Sequence, residues 1–183
     1  MNESLRILQR SLLQPALVLL TAASLTACAG LNLSGSRGVA ARPLTVSRAI
    51  GQVDSTRDAS LRLVIAGLDA DTAGRPDRAL ASYQRAVRVD STNPFAYLAL
   101  ARHHLEGASL DEASAFLDQA RALFENSQGL GAGAGVDVWG VGLRAGIDRE
   151  RGRDEQADRR FAAARNLSLE IWDDERLSSA ELR

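Results

Sequence analysis

Lysine is absent from this chain; all 22 of its basic residues are arginine. Arginine forms bidentate carboxylate pairs that lysine cannot, but an absence this complete reads as a coding bias rather than a binding function. Set against 23 acidic residues, the arginines leave a net charge of −1 and form no basic block, so there is no electrostatic footprint for nucleic acid. Cysteine occurs once, at Cys28, which leaves no partner within the chain for a disulfide. Aromatic residues make up 4% of the 183 residues. The core must therefore be built from alanine and leucine, a composition typical of packed helices. Long apolar runs are also missing: Leu12 to Leu25 is interrupted by Gln14 and Pro15 and is shorter than the roughly 20 residues a membrane-spanning helix needs.

What the amino terminus does have is the order of a signal peptide. A short stretch carrying Arg6 and Arg10 precedes the uncharged apolar run, which ends in Leu25-Thr26-Ala27-Cys28. An ordinary secretory signal would leave Cys28 as an unpaired thiol in an oxidising compartment. The tetrad resembles the lipobox of bacterial lipoproteins, and that resemblance implies cleavage after residue 27, lipidation of Cys28 and an anchor in the cell envelope. By the same resemblance, Ala29, standing where an aspartate would favour inner-membrane retention, points to the outer membrane facing the periplasm. The processed chain would carry 20 arginines and 22 acidic residues. Residues 28–44, small and glycine-rich up to Pro43, read as a flexible tether; about 15 such residues span on the order of 20 Å.

Residues 45–183 carry helical periodicity. Leu63, Ala66, Gly67 and Ala70 recur at helix spacing, Gly74 breaks the pattern, and Ala79, Tyr83 and Ala86 resume it. Thirty-four residues on, Tyr97, Leu100, Ala101 and His104 are followed by Gly107, then Ala113, Leu117 and Ala120. Asn93-Pro94 supplies a helix start, and Ser109-Leu-Asp-Glu112 supplies a capping box. A glycine-rich insertion, 126–135, then precedes Trp139, Leu143 and Ile147, with Gly152, Ala157, Phe161 and Ala164 after them.

The period and pattern resemble the tetratricopeptide repeat, with repeats at about 60–93, 94–125 and, distorted by the insertion, 136–169. The resemblance implies an all-α helical-hairpin solenoid, a right-handed superhelix of two to three repeats, in which small residues let paired helices approach and Tyr83 and Leu117 fill against the next helix. Residues 173–183 suit a short capping helix of the kind solenoid ends require. It further implies a partner-binding strip on the first helix of each hairpin: Leu61, Val64 and Leu68, then Phe95, Leu98, Arg102 and Leu105, with Arg102 selecting an acidic group. The alternative is that this strip packs against the tether, the third repeat or the tail.

No catalytic constellation is found. His103 and His104, being adjacent, point about 100° apart on a helix, whereas ligand pairs want i and i+4. The glycine-rich run lacks the strand and ribose-binding acid of a dinucleotide site, and Asp69, Asp71 and Asp77 do not have calcium-loop spacing. The expectation is a noncatalytic scaffold with no metal and no cofactor that holds an envelope protein or peptide. Its competitors are a self-associating structural lipoprotein and an accessory subunit of an envelope enzyme, such as one acting on peptidoglycan.

Overall fold

The computed structural model describes residues 43–126 and 136–183. The expected signal peptide, Cys28, the expected tether up to residue 42 and residues 127–135 of the insertion lie outside them. Among the described residues there is no strand. After the short helix α1 (Val46–Ala49), the chain forms α2 (Ser55–Thr72), α3 (Pro76–Val89), α4 (Pro94–Glu106), α5 (Leu110–Glu125), α6 (Val136–Glu150) and α7 (Asp154–Leu167), then the short helices α8 (Leu169–Trp172) and α9 (Ser179–Leu182). Helices α2 and α3, α4 and α5, and α6 and α7 pack as three hairpins, and α3 against α4 and α5 against α6 join them into one stack.

Local chemistry sets the helix starts. Asp54 accepts from the Thr56 and Arg57 amides at 3.0 Å, satisfying donors that the first turn of α2 leaves unpaired. Pro76 and Pro94 occupy the first turns of α3 and α4, where proline's missing N–H costs nothing. Asn93 is fully buried and ties the first hairpin to the second: its Oδ1 accepts from the Phe95 amide at 3.1 Å, and its Nδ2 donates to Ser60 Oγ at 2.8 Å. Ser60 in turn donates to the Ala86 carbonyl at 2.8 Å. The capping box expected at Ser109 does not form; its side chain caps nothing, and its amide instead donates to the His104 carbonyl at 2.8 Å.

The register is visible in the turns. Gly74, Ala108 and Gly152 all have left-handed backbone, with φ of 66°, 55° and 71°. Ala108, not Gly107, is therefore the structural counterpart of Gly74, 34 positions on. Because an alanine Cβ crowds the backbone in this conformation, Ala108→Gly should raise the unfolding free energy by about 0.5–1 kcal/mol, less than the full strain because glycine also loosens the unfolded chain. A denaturant titration checks this.

From Ala108 to Gly152 is 44 residues, which is the 34-residue period plus the ten residues of 126–135. Steps of 34 and then 44 relate Ala79, Ala113 and Ala157; Tyr83, Leu117 and Phe161; and Ala86, Ala120 and Ala164, all of them buried. The third hairpin is thus in register once the insertion is discounted. The buried face of α2 differs from expectation in one respect: it runs through Leu61, Val64, Gly67, Leu68 and Ala70, leaving Ala66 exposed and Leu63 half-buried.

Gly67 shows why a small residue is needed between paired helices. A Cβ there would fall 2.3 Å from the Tyr83 ring, inside any real contact distance. Gly67→Ala should cost about 1–3 kcal/mol through overpacking, although alanine is the better helix former. An unchanged midpoint in urea would contradict this packing.

Candidate functional site

The first helices of the three hairpins, α2, α4 and α6, touch one another in order, and their shared face is where the strip was expected. Leu61, Val64, Leu68 and Phe95 are fully buried, and Leu98 is at 1% and Arg102 at 2% exposure. Only Leu105 is half-buried. These six residues are interior, so the expectation of an open receptor strip is corrected: the chain itself covers it, with Phe95 edge-on to Phe124 of α5 at 5.2 Å and Arg102 against Asp71 and Glu106. Helices α1 and α9 both pack on α2. Leu177 and Leu182 are buried, and Ser47 donates its amide to the Arg183 carbonyl at 2.7 Å. Apolar positions on a short solenoid cannot stay wet, and the nearest available cover is the polypeptide on either side of the hairpins.

Arg102 has a different task from the one expected. It is paired with Asp71 and with Glu106, so its charge is already taken. Asp71 also accepts from the Tyr83 hydroxyl at 2.7 Å, and His103 Nδ1 stands 3.6 Å from its other oxygen. Burial, reinforced by the Asp71 bond, pushes the Tyr83 hydroxyl well above its ordinary pKa. His104 packs its ring 5.2 Å from that of Phe116, and burial followed by the charge of His103 lowers its pKa. Among the described residues no group of three or more His, Cys, Asp or Glu is placed to hold a metal ion.

A cleft of about 370 Å³ remains open beside the sealed strip. Helix α4 contributes Arg102, Leu105 and Glu106; α6 contributes Gly142, Leu143, Gly146, Arg149 and Glu150; Phe161 of α7 and residues from Trp172 to Leu177 close it. At the period of 34 plus 10, Gly142 and Gly146 occupy the positions of Leu98 and Arg102. Those glycines make room: a Cβ at Gly142 would fall 2.2 Å from the Trp172 indole, and one at Gly146 would fall 2.9 Å from Leu105. Trp172, at 1% exposure, thus fills the slot that a larger side chain occupies in the earlier repeats, and its Nε1 donates to the Val138 carbonyl at 2.8 Å.

The wall of the cleft is held by ion pairs. Glu175, at a positive φ of 60°, lies between Arg149 at 3.1 Å and Arg165 at 2.8 Å. Arg149 also reaches Asp158 at 2.7 Å and lies 5.5 Å over the Phe161 ring, an arrangement favoured by the ring quadrupole. The side chains of Glu150 and Arg176, both exposed, have no ion-pair partner among the described residues. The cleft therefore offers an apolar floor with two unpaired negative charges, Glu150 and Asp174, and one unpaired positive charge, Arg176. Sequence reasoning missed Gly142, Gly146, Trp172 and Glu175. The signal that finds the glycines is the corrected period.

Residues 72–132 match the tetratricopeptide repeat family, a window that runs from the end of α2 through α3, α4 and α5. No curated protein and no solved structure matches the chain. The hairpins, their 34-residue period and this match define an all-α tetratricopeptide-like fold, the class of repeat domain that mediates protein–protein interaction.

Proposed function

We propose that the protein is an envelope-anchored interaction scaffold, tied to a membrane through lipid on Cys28 and receiving a partner polypeptide in the cleft between α4, α6 and the segment from Trp172 to Leu177. The observation that carries the binding reading is the pairing of an apolar floor with the unspent charges of Glu150 and Arg176 on a tetratricopeptide-like frame. A partner segment presenting an apolar side chain flanked by charges of both signs fits it. Support for the anchor is the order Leu25-Thr26-Ala27-Cys28 behind an uncharged apolar run; Ala29 favours the outer membrane facing the periplasm. The assignment is noncatalytic, since the ionisable residues of the cleft are spent on ion pairs or exposed at its rim.

Photo-reactive residues at Glu150 and Arg176 test the cleft, with Arg85 on the exposed face of α3 as the control. The cleft positions should give a shared, discrete adduct with another envelope protein that Arg85 does not give. An adduct of the chain with itself would favour the self-associating alternative, and the same adducts from all three positions would overturn the assignment. For the anchor, metabolic labelling with a palmitate analogue should be lost in Cys28→Ser, with release of the protein from membranes; equal labelling of both proteins would contradict lipidation.

A further inference from the structure

Arginines with no clustering in the sequence are gathered by the fold. On the face of α6 opposite the partner cleft, Arg121 of α5, Arg144 of α6, Arg151 and Arg153 of the following turn and Arg160 of α7 line a second cleft of about 470 Å³. Asp148 is its only acidic lining residue, so the wall carries five positive charges against one negative.

The pairings show which charges are committed. Asp148, at 1% exposure, holds Arg153 at 2.7 Å and also Arg160. The other arginines are met from the rim by carboxylates in water: Arg144 by Asp118, Arg151 by Asp111 at 2.5 Å, and Arg121 by Glu125 at 3.8 Å. Those three acids are 62%, 96% and 69% exposed. Such surface pairs contribute little and exchange readily. Each guanidinium also has five N–H donors in a fixed fork, more than one carboxylate can occupy.

We propose that this cleft is a second docking site, independent of the first, that takes an acidic segment of a polypeptide whose Asp or Glu side chains displace Asp111, Asp118 and Glu125. The spread of the charges favours a polymer of carboxylates over one phosphate. Arg144 is fixed at Ser114 Oγ, 2.6 Å away, Arg151 at the Leu110 carbonyl, 3.2 Å away, and Arg153 and Arg160 at Asp148. The guanidiniums are therefore held at separate stations along three elements rather than converging on a single point. A chain with carboxylates at intervals engages several stations at once; a single phosphate engages one or two.

The test uses the full chain in nonionic detergent and a fluorescein-labelled ten-residue glutamate peptide, read by anisotropy, with a glutamine peptide as control. The glutamate peptide should bind at 50 mM salt and weaken at least tenfold at 300 mM, as screened surface charge requires. The glutamine peptide should not bind. Arg121→Gln, Arg144→Gln and Arg151→Gln combined leave the pairs of Asp148 intact and should weaken binding at least tenfold. Asp111→Asn with Asp118→Asn removes the internal competitors and should tighten it at least threefold, a gain that misfolding cannot produce. Glu150→Gln, in the first cleft, should leave it unchanged. Absence of glutamate-peptide binding at 50 mM salt, or affinity indifferent to both sets of substitutions, would overturn the proposal. Binding of inorganic phosphate or of mixed micelles containing phosphatidylglycerol without binding of the glutamate peptide would also overturn it, in favour of a phosphate site.

Discussion

Arg102→Ala is expected to cost about 3–5 kcal/mol, the usual penalty for removing one partner of a buried ion pair. Asp71, its side chain 7% exposed, would lose the cation that compensates its charge while still accepting from Tyr83. Against the roughly 5–15 kcal/mol that keeps a domain folded, the loss is large. The double variant Arg102→Met with Asp71→Leu removes both charges and should recover most of the loss, because well-packed apolar residues commonly replace a buried pair without penalty. Urea unfolding followed by circular dichroism reads both. A cost below about 1 kcal/mol for the single change would fit the exposed, partner-selecting arginine expected from the sequence, and would contradict the buried network.

Trp172→Ala should cost about 3–5 kcal/mol as well, by emptying a large buried site, and its consequence is more than a cavity. Without the indole over Gly142, the polypeptide that carries α8 and α9 loses its largest hold on the third hairpin. The glycine supplies a check in the opposite direction. In the otherwise unaltered protein, Gly142→Leu should destabilise, because its Cβ alone would meet the indole at 2.2 Å. In the Trp172→Ala protein the same change should stabilise by about 1 kcal/mol or more, through helix propensity and partial filling of the slot. If Gly142→Leu destabilised both proteins equally, Trp172 would not be what the glycine accommodates.

Repeat spacing made the fold readable. Ala79, Tyr83 and Ala86 recur as Ala113, Leu117 and Ala120 because paired helices demand small and large residues at fixed positions, and any residue of the right size serves. That tolerance also blurs detail. Helix periodicity alone let Leu63 and Ala66 stand for the buried face of α2, whereas burial follows Leu61, Val64 and Leu68, the positions first read as a binding strip. The binding strip misled for a physical reason: a residue pattern states which face is apolar but not whether a partner or the chain itself covers it. Arg102 is the one charged residue of that strip. Its counterion, Asp71, lies 31 positions away, a pairing that depends on how α2 and α4 meet.

The candidate cleft was hidden by the insertion. Counted at 34 residues from repeat two, the third repeat is shifted by ten, and Gly142 and Gly146 have no meaning; counted at 44, they fall where α4 has Leu98 and Arg102. Even then, nothing in local sequence indicates that Trp172 enters the slot, since that contact depends on the path of the polypeptide after α7.

The central claim is that α1 and α9 close over α2, beside the open cleft between α4 and α6. Native-state hydrogen exchange by NMR tests it at the Ser47 amide, which is bonded to the Arg183 carbonyl across 136 positions, and at the amides of Leu182 and Arg183. Peptides as short as α1 and α9 have no protection of their own. If they are docked as described, these amides should exchange orders of magnitude more slowly than in free peptides, and Trp172→Ala should speed them selectively while the amides of α3 and α5 remain protected. Free-peptide exchange rates at Ser47, Leu182 and Arg183 in the otherwise unaltered protein would contradict the account and return Leu61, Val64 and Leu68 of α2 to an open binding groove.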